Sequence, residues 1–378
     1  MGPRLVVILV LICACLPACQ KEVALTPVFH AEGYPARLSD WRLLTVEGGR
    51  LQLASSVIAY DLNTPLFTDY AHKLRTVWLP AGTAATYQAA DTFDFPVGTV
   101  ISKTFYYPTQ AALSSQQVLK ADDQTDQRLL AEIDLGQVKL IETRLLVHRA
   151  EGWVALPYVW DEAETDAVLK RVGDIKQLEL VAAGAEAKQF SYVVPNQNQC
   201  AGCHATNATT RAVKPIGPKA RHLNKDYTYA AGRSNQLEHW AALGLLVNLP
   251  DRNTRPANVD WKDTSSAMDE RARSYLDINC SHCHNAVGPA DTSGLLLEPS
   301  DPIGPSLGVC KLPIAAGTGT GDRKYGIVPG QPDQSIFTYR LASTRPSEMM
   351  PELGRSLSHD EGVALITQWI AQMQGECG

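Results

Sequence analysis

Two copies of one short pattern, Cys-x-x-Cys-His, constrain this chain more than any other feature of its 378 residues. The copies are Cys200-Ala201-Gly202-Cys203-His204 and Cys280-Ser281-His282-Cys283-His284. In this pattern two thiols lie about one helical turn apart, where they can add to the two vinyl groups of a haem, and the adjacent imidazole can bind the iron. The sequence therefore predicts two covalently bound haem c groups.

Two other functions are compatible with paired cysteines. A redox-active Cys-x-x-Cys pair follows a strand and needs no adjacent histidine, whereas both copies here have one. A zinc site built from both pairs is the remaining alternative. The repeated histidine favours haem attachment.

The N-terminus predicts export. Arg4 precedes an apolar run over residues 5–16, which is too short to span a membrane and is typical of a signal peptide covering residues 1–18. The end of the run, Leu16-Pro17-Ala18-Cys19, resembles the cleavage site of bacterial lipoproteins. We expect a mature chain that begins at a lipidated Cys19 and is anchored at the periplasmic face or the outer membrane of a Gram-negative bacterium. An ordinary cleaved signal with a spare cysteine is the alternative.

Two cysteines, Cys310 and Cys377, belong to neither the signal, the lipidation site nor the two motifs. Thiols oxidise in an exported protein, so a disulfide between these two follows by elimination. Two separate thiols remain the alternative.

The patterning of the chain predicts several domains. After a linker over residues 19–33, residues 34–195 are rich in strand patterns, including 74–79, 99–107 and a hairpin that joins 140–148 to 153–160. These strands predict a β-rich sandwich or barrel. Residues 196–268 and 269–378 each contain one motif, and we expect both to be mainly α-helical haem modules of the cytochrome c type.

The second haem has a candidate for its sixth iron ligand. Met350 precedes Pro351 in a polar loop between two predicted helices, and a thioether there could face His284 across the haem. Met349 is the alternative ligand, and both methionines could instead be core residues.

The sixth ligand of the first haem is left open by the sequence. His222 is the first choice, eighteen positions after His204, and an open iron site is equally compatible with the sequence. The other candidates are His239, Met268, His72 and His148.

Charge and motifs together predict the class of function. A formal net charge of -6 gives no basic surplus for nucleic acid, which we exclude as a partner. We expect the chain to be an electron carrier that transfers electrons between redox partner proteins of the periplasm or the outer membrane. A haem enzyme, either a dihaem peroxidase or a haem dehydrogenase with an open first haem, is the alternative, and a third possibility makes the β-rich domain a binding module.

Most of the mature chain resembles the secreted dihaem c-type cytochromes of Gram-negative bacteria, and five stretches carry the most specific part of this resemblance. They are residues 62–71 (LNTPLFTDYA), 195–200 (PNQNQC), 215–221 (PIGPKAR), 288–295 (GPADTSGL) and 349–355 (MMPELGR). The resemblance implies covalent haems at His204 and His284 and supports Met350 as a ligand. It implies no substrate.

Overall fold

The computed structural model describes Gly2 and residues 25–120, 132–314 and 316–378. Of the predicted signal peptide only Gly2 is described, and Cys19 lies outside the described residues. Within the described part of the chain, no helix is long and apolar enough to cross a membrane.

Most strands lie in the first half of the chain, as the alternation of β-branched and aromatic residues predicts, and the last three follow the first motif. The strands are β1 (Leu44–Glu47), β2 (Arg50–Leu53), β3 (Ile58–Tyr60), β4 (His72–Trp78), β5 (Ala85–Thr86), β6 (Val100–Pro108), β7 (Gln117–Leu119), β8 (Glu132–Asp134), β9 (Val138–Arg149), β10 (Gly152–Trp160), β11 (Ala167–Leu169), β12 (Asp174–Val181), β13 (Lys188–Val194), β14 (Asp226–Tyr229), β15 (Gly232–Asn235) and β16 (Leu246–Val247).

The largest sheet has six strands in the order β11-β10-β9-β6-β4-β3, all antiparallel. The hairpin between β9 and β10 turns where Arg149 pairs with Gly152. Smaller sheets β1-β2-β8 and β13-β12-β7 complete this part of the chain. The prediction of a β-rich N-terminal domain is therefore confirmed.

The two faces of the six-stranded sheet pack against different neighbours. Alternate residues such as Val100 and Leu145 share a core with residues of the β1-β2-β8 sheet. Ile101, on the other face, packs with Leu223 and Trp240 from beyond the first motif. Further along that face, Phe105 packs against residues of β12 and β13. The sheet thus supports the segment that carries the first motif.

The prediction of mainly α-helical modules over residues 196–378 is wrong. Helices in this part of the chain are short, and the longest has 13 residues. They are α1 (Gln197–His204), α2 (Ala220–Leu223), α3 (Gln236–Ala242), α4 (Met268–Leu276), α5 (Ile336–Ala342) and α6 (Asp360–Gln372).

Proline and glycine explain why helices do not extend further. Between α4 and α5 the chain contains a π-helical turn, 3-10 turns and loops, and Pro302, Pro305 and Pro313 each fix φ and lack the N–H that a helix interior needs. Backbone hydrogen bonds in this stretch close turns, as from Gly308 N to Pro305 O. The amphipathic stretches that suggested helical modules correspond to isolated helices joined by ordered loops.

The C-terminal part has its own core and a covalent link. Helices α4 and α6 contribute Leu276, Ile366 and Ile370 to this core. The structure joins Cys310 to Cys377 in a disulfide with a sequence separation of 67 residues. This bond encloses α5 and α6 in one covalent loop.

Candidate functional site

The first motif lies on α1, whose start is set by a capping box. The Asn196 side chain accepts a hydrogen bond from Gln199 N at 2.8 Å, and the Gln199 side chain accepts one from Asn196 N at 2.9 Å. Cys200 and Cys203 stand three residues apart on this helix, so they project from the same face. The helix therefore presents both thiols on the same side.

The imidazole of His204 is held in one orientation. Its Nδ1 lies 2.8 Å from the Lys214 carbonyl oxygen, to which it donates, and this bond leaves Nε2 as the metal-binding nitrogen. Burial lowers the pKa of His204 to about 3, so the ring is neutral near pH 7. A neutral imidazole with a fixed tautomer is the form that binds iron.

The second motif follows α4 through the π-helical turn Asp277–Ser281. His284 N donates to Cys280 O at 2.9 Å, which closes the turn that carries both thiols. The Nδ1 of His284 lies 3.1 Å from Ser293 Oγ, and burial lowers the pKa of this histidine to about 4. The second histidine therefore repeats the neutral, oriented state of the first.

Each motif opens into its own cavity. The second cavity, of about 480 Å³, is lined by Cys280, Cys283 and His284. The first cavity, of about 160 Å³, is lined by Cys200, Cys203 and His204. Cofactor sites are typically cavities of several hundred Å³ with mainly apolar walls and a few polar groups, a range that contains the second cavity and exceeds the first.

The two motifs touch each other. Cys283 Sγ lies 3.8 Å from the carbonyl oxygen of Gly202, inside the first motif. Cys203 lines both cavities, and so do Asn279 and Leu353. The cavities therefore share a thin wall made partly of the motifs themselves.

The four motif cysteines form no disulfide. Among the described residues, no group of three or more His, Cys, Asp or Glu side chains converges to hold a metal ion. A zinc site needs about four such ligands around one point. The arrangement instead keeps each cysteine pair with its own histidine.

Met350 and Met349 occupy different environments. Met350 lines both cavities, together with His284 in the second one, whereas Met349 is 7% exposed and lines neither. Arg355 donates to the Met350 carbonyl oxygen at 2.9 Å and so holds the loop in place. The structure thus places Met350, and not Met349, at the cavities, and its role as a ligand stays a prediction.

The candidates for the sixth ligand of the first haem are mostly remote from it. His72, His148, His239 and Met268 line neither cavity.

His222 lines the first cavity, but its Nε2 bonds to Asp277 Oδ2 at 2.8 Å, and its Nδ1 is enclosed without a hydrogen-bond partner. His222 as the sixth ligand of the first haem therefore stays a prediction.

Sequence reasoning missed a cationic wall of the first cavity. Arg75, Lys103 and Arg144 lie on β4, β6 and β9 and all line this cavity. Burial and the nearby Arg144 lower the pKa of Lys103 to about 7. The available signal was a lysine in the middle of a strand rich in β-branched and aromatic residues, because such a position faces either solvent or a polar site.

Asp69 connects the β-rich part to the loop that follows Met350. It is 2% exposed and accepts hydrogen bonds from Ser356 N at 2.8 Å and Leu357 N at 2.7 Å. Burial raises the pKa of Asp69 to about 6, and the two backbone donors oppose that rise.

This raised pKa predicts a pH dependence of stability. Between about pH 4 and pH 6 the folded chain holds a proton on Asp69 that the unfolded chain has lost, so the free energy of unfolding falls as the pH rises. We expect a contribution of up to about 3 kcal/mol. Denaturant unfolding across this range measures it, and Asp69→Asn should show a smaller slope; equal slopes in both proteins would contradict the assignment.

No protein-family profile, curated protein sequence or solved structure matches the chain. The residues themselves fit haem c: two cysteine pairs on turns, two neutral histidines with fixed tautomers, and apolar cavities beside each pair. The site is thus defined by its geometry: two Cys-x-x-Cys-His motifs in contact with each other, each keeping its own histidine.

Proposed function

We propose that the protein is a dihaem c-type cytochrome that transfers electrons between redox partner proteins, as in the secreted cytochromes that its sequence resembles. Cys200 and Cys203 would hold one haem and Cys280 and Cys283 the other. His204 and His284 would each bind one iron. Met350 would complete the coordination of the second iron.

A bound haem c supplies a one-electron couple between ferrous and ferric iron. The residues of the chain would bind the haems, orient the histidine ligands and exclude water. Lys214 O and Ser293 Oγ orient the two imidazoles. Met350 lines the same cavity as His284. A thioether opposite histidine raises the reduction potential relative to two histidines, so the second haem would be the higher-potential centre.

The contact between the two motifs is the observation that supports electron transfer most directly. The 3.8 Å approach of Cys283 to Gly202, and the lining shared by both cavities, mean that groups attached to the two motifs would be close neighbours. A short path through few atoms is what rapid electron exchange between two centres requires.

Exchange with a partner protein needs one haem edge near the surface. Leu312 and Ile314 line the second cavity and are 58% and 55% exposed. The second haem would therefore be the one that meets a partner. A lipid at Cys19 would keep the protein at a membrane surface, where other electron carriers also reside.

Haem content tests the proposal. The purified chain, denatured and extracted with acidified solvent, should retain two haems per chain as judged by its pyridine haemochrome spectrum. The double variants Cys200→Ala/Cys203→Ala and Cys280→Ala/Cys283→Ala should each retain one.

Spin state separates the carrier from the enzyme. Both irons of a carrier should be six-coordinate and low-spin in electron paramagnetic resonance, and slow to bind cyanide. One or no haem per chain would refute the dihaem assignment. A high-spin first haem that turns over peroxide would replace the carrier by a haem enzyme.

A further inference from the structure

Three cations form a row across the sheet that walls the first cavity. Arg75 on β4 pairs in register with Lys103 on β6, and Lys103 pairs in register with Arg144 on β9. All three line the cavity that contains Cys200 and Cys203. Like charges directly opposite each other on neighbouring strands destabilise a sheet, so the row needs a compensating charge.

Arg75 and Arg144, the outer two cations of the row, each pair with a carboxylate of the chain. Arg75 Nη1 lies 3.2 Å from Asp61 Oδ1. Arg144 binds both carboxylate oxygens of Glu142, through Nε at 2.8 Å and Nη2 at 2.5 Å, which leaves its Nη1 as an available donor.

The central member has no such partner. Among the described residues, no carboxylate lies within ion-pair distance of Lys103, whose ammonium group instead lies 5.4 Å from the centre of the Phe105 ring. Its side chain is partly buried, and an unpaired charge in such a place is unfavourable. Lys103 therefore brings to the cavity an amine with which no carboxylate of the described residues pairs.

We propose that the Arg75–Lys103–Arg144 row binds a carboxylate or a similar oxyanion inside the first cavity. Charge-assisted hydrogen bonds from Lys103 and from Arg144 Nη1 would hold it, and planar oxyanions match the geometry of guanidinium donors. The oxyanion has two possible sources, which are a propionate of the haem attached at Cys200 and Cys203 or a free small oxyanion. The first source rests on the proposed function.

The experiment compares the haem-loaded protein with its Lys103→Met variant. Lys73→Met is the matched control, because Lys73 lies on the same face of β4, also close to the Phe105 ring, but does not line the cavity. If a propionate is the occupant, Lys103→Met should shift the propionate bands in resonance Raman spectra and move the reduction potential of the first haem to a lower value. Lys73→Met should change neither.

Titration with nitrite, or with formate, tests the other source. If a free oxyanion is the occupant, the wild-type protein should show saturable binding in its visible spectrum, with affinity at least about tenfold weaker in Lys103→Met. Either result supports the row as an oxyanion site.

Two results would overturn the inference. One is a Lys103→Met protein that matches wild type in the Raman bands, the potential and the titrations. The other is a change of the first haem from low spin to high spin in Lys103→Met, which would place the amine on the iron. Haem content is measured first, so that a chain without covalent haem refutes the proposed function and not the cation row.

Discussion

Replacing Asp277 by alanine should lower the free energy of unfolding by about 3–5 kcal/mol. This carboxylate is 1% exposed and accepts hydrogen bonds from Arg221 at 2.7 and 2.8 Å, from His222 at 2.8 Å and from Asn258 at 2.7 Å. Burial by itself would raise the pKa of Asp277, but these donors hold it well below its usual range. Its removal leaves the buried Arg221 guanidinium with only the longer contact to Glu298, at 3.4 Å, as a counter-charge.

The effect should also reach the second motif. Asp277 is the first residue of the π-helical turn that carries Cys280, and Arg221 and His222 come from α2. Guanidinium unfolding of the haem-loaded variant measures the loss. Asp251→Ala, at an exposed aspartate, is the matched control and should change the free energy by no more than about 0.5 kcal/mol. Similar stability of the two variants would show that the network contributes little.

Replacing Met350 by alanine should abolish thioether coordination of the second haem while both covalent attachments remain. The far-red absorption band of a methionine-ligated ferric haem should disappear, and the reduction potential of one haem should fall. We expect the reduction potential to fall because the axial ligands set it, and a change of ligands moves haem potentials over a range of about 0.8 V.

Met349→Ala is the control for this change. Met349 is buried and lines neither cavity, so its truncation should cost about 2–5 kcal/mol of stability and leave the band in place. If the band survives in Met350→Ala and is lost in Met349→Ala, the ligand assignment is reversed. A band that survives in both places the ligand elsewhere in the chain.

Local signals were sufficient where chemistry depends on neighbouring residues. The spacing of Cys200, Cys203 and His204 predicts a helical turn with all three side chains on one face. The structure has such a turn in α1. Alternating β-branched and aromatic residues predicted β6 and β9 because a pleated strand separates its two faces residue by residue.

The extent of helix in residues 196–378 could not be derived in the same way. Amphipathic stretches such as α6 show where a helix packs, but they do not show how much chain between helices is held by turns and side-chain hydrogen bonds. Frequent proline and glycine shift that balance toward ordered loops. The prediction of mainly α-helical modules gave the helices too large a share of residues 196–378.

By itself the sequence determined the two cysteine pairs, their histidines and the strands of the β-rich part, because each is encoded by residues close together in the chain. Only the tertiary structure decided that Cys283 meets Gly202, that Met350 rather than Met349 lines the cavity of His284, and that Lys103 stands between two arginines. These contacts join residues far apart in the sequence. Strand register and the packing of loops against the sheet bring these residues together. Neither of these can be predicted from a local sequence pattern.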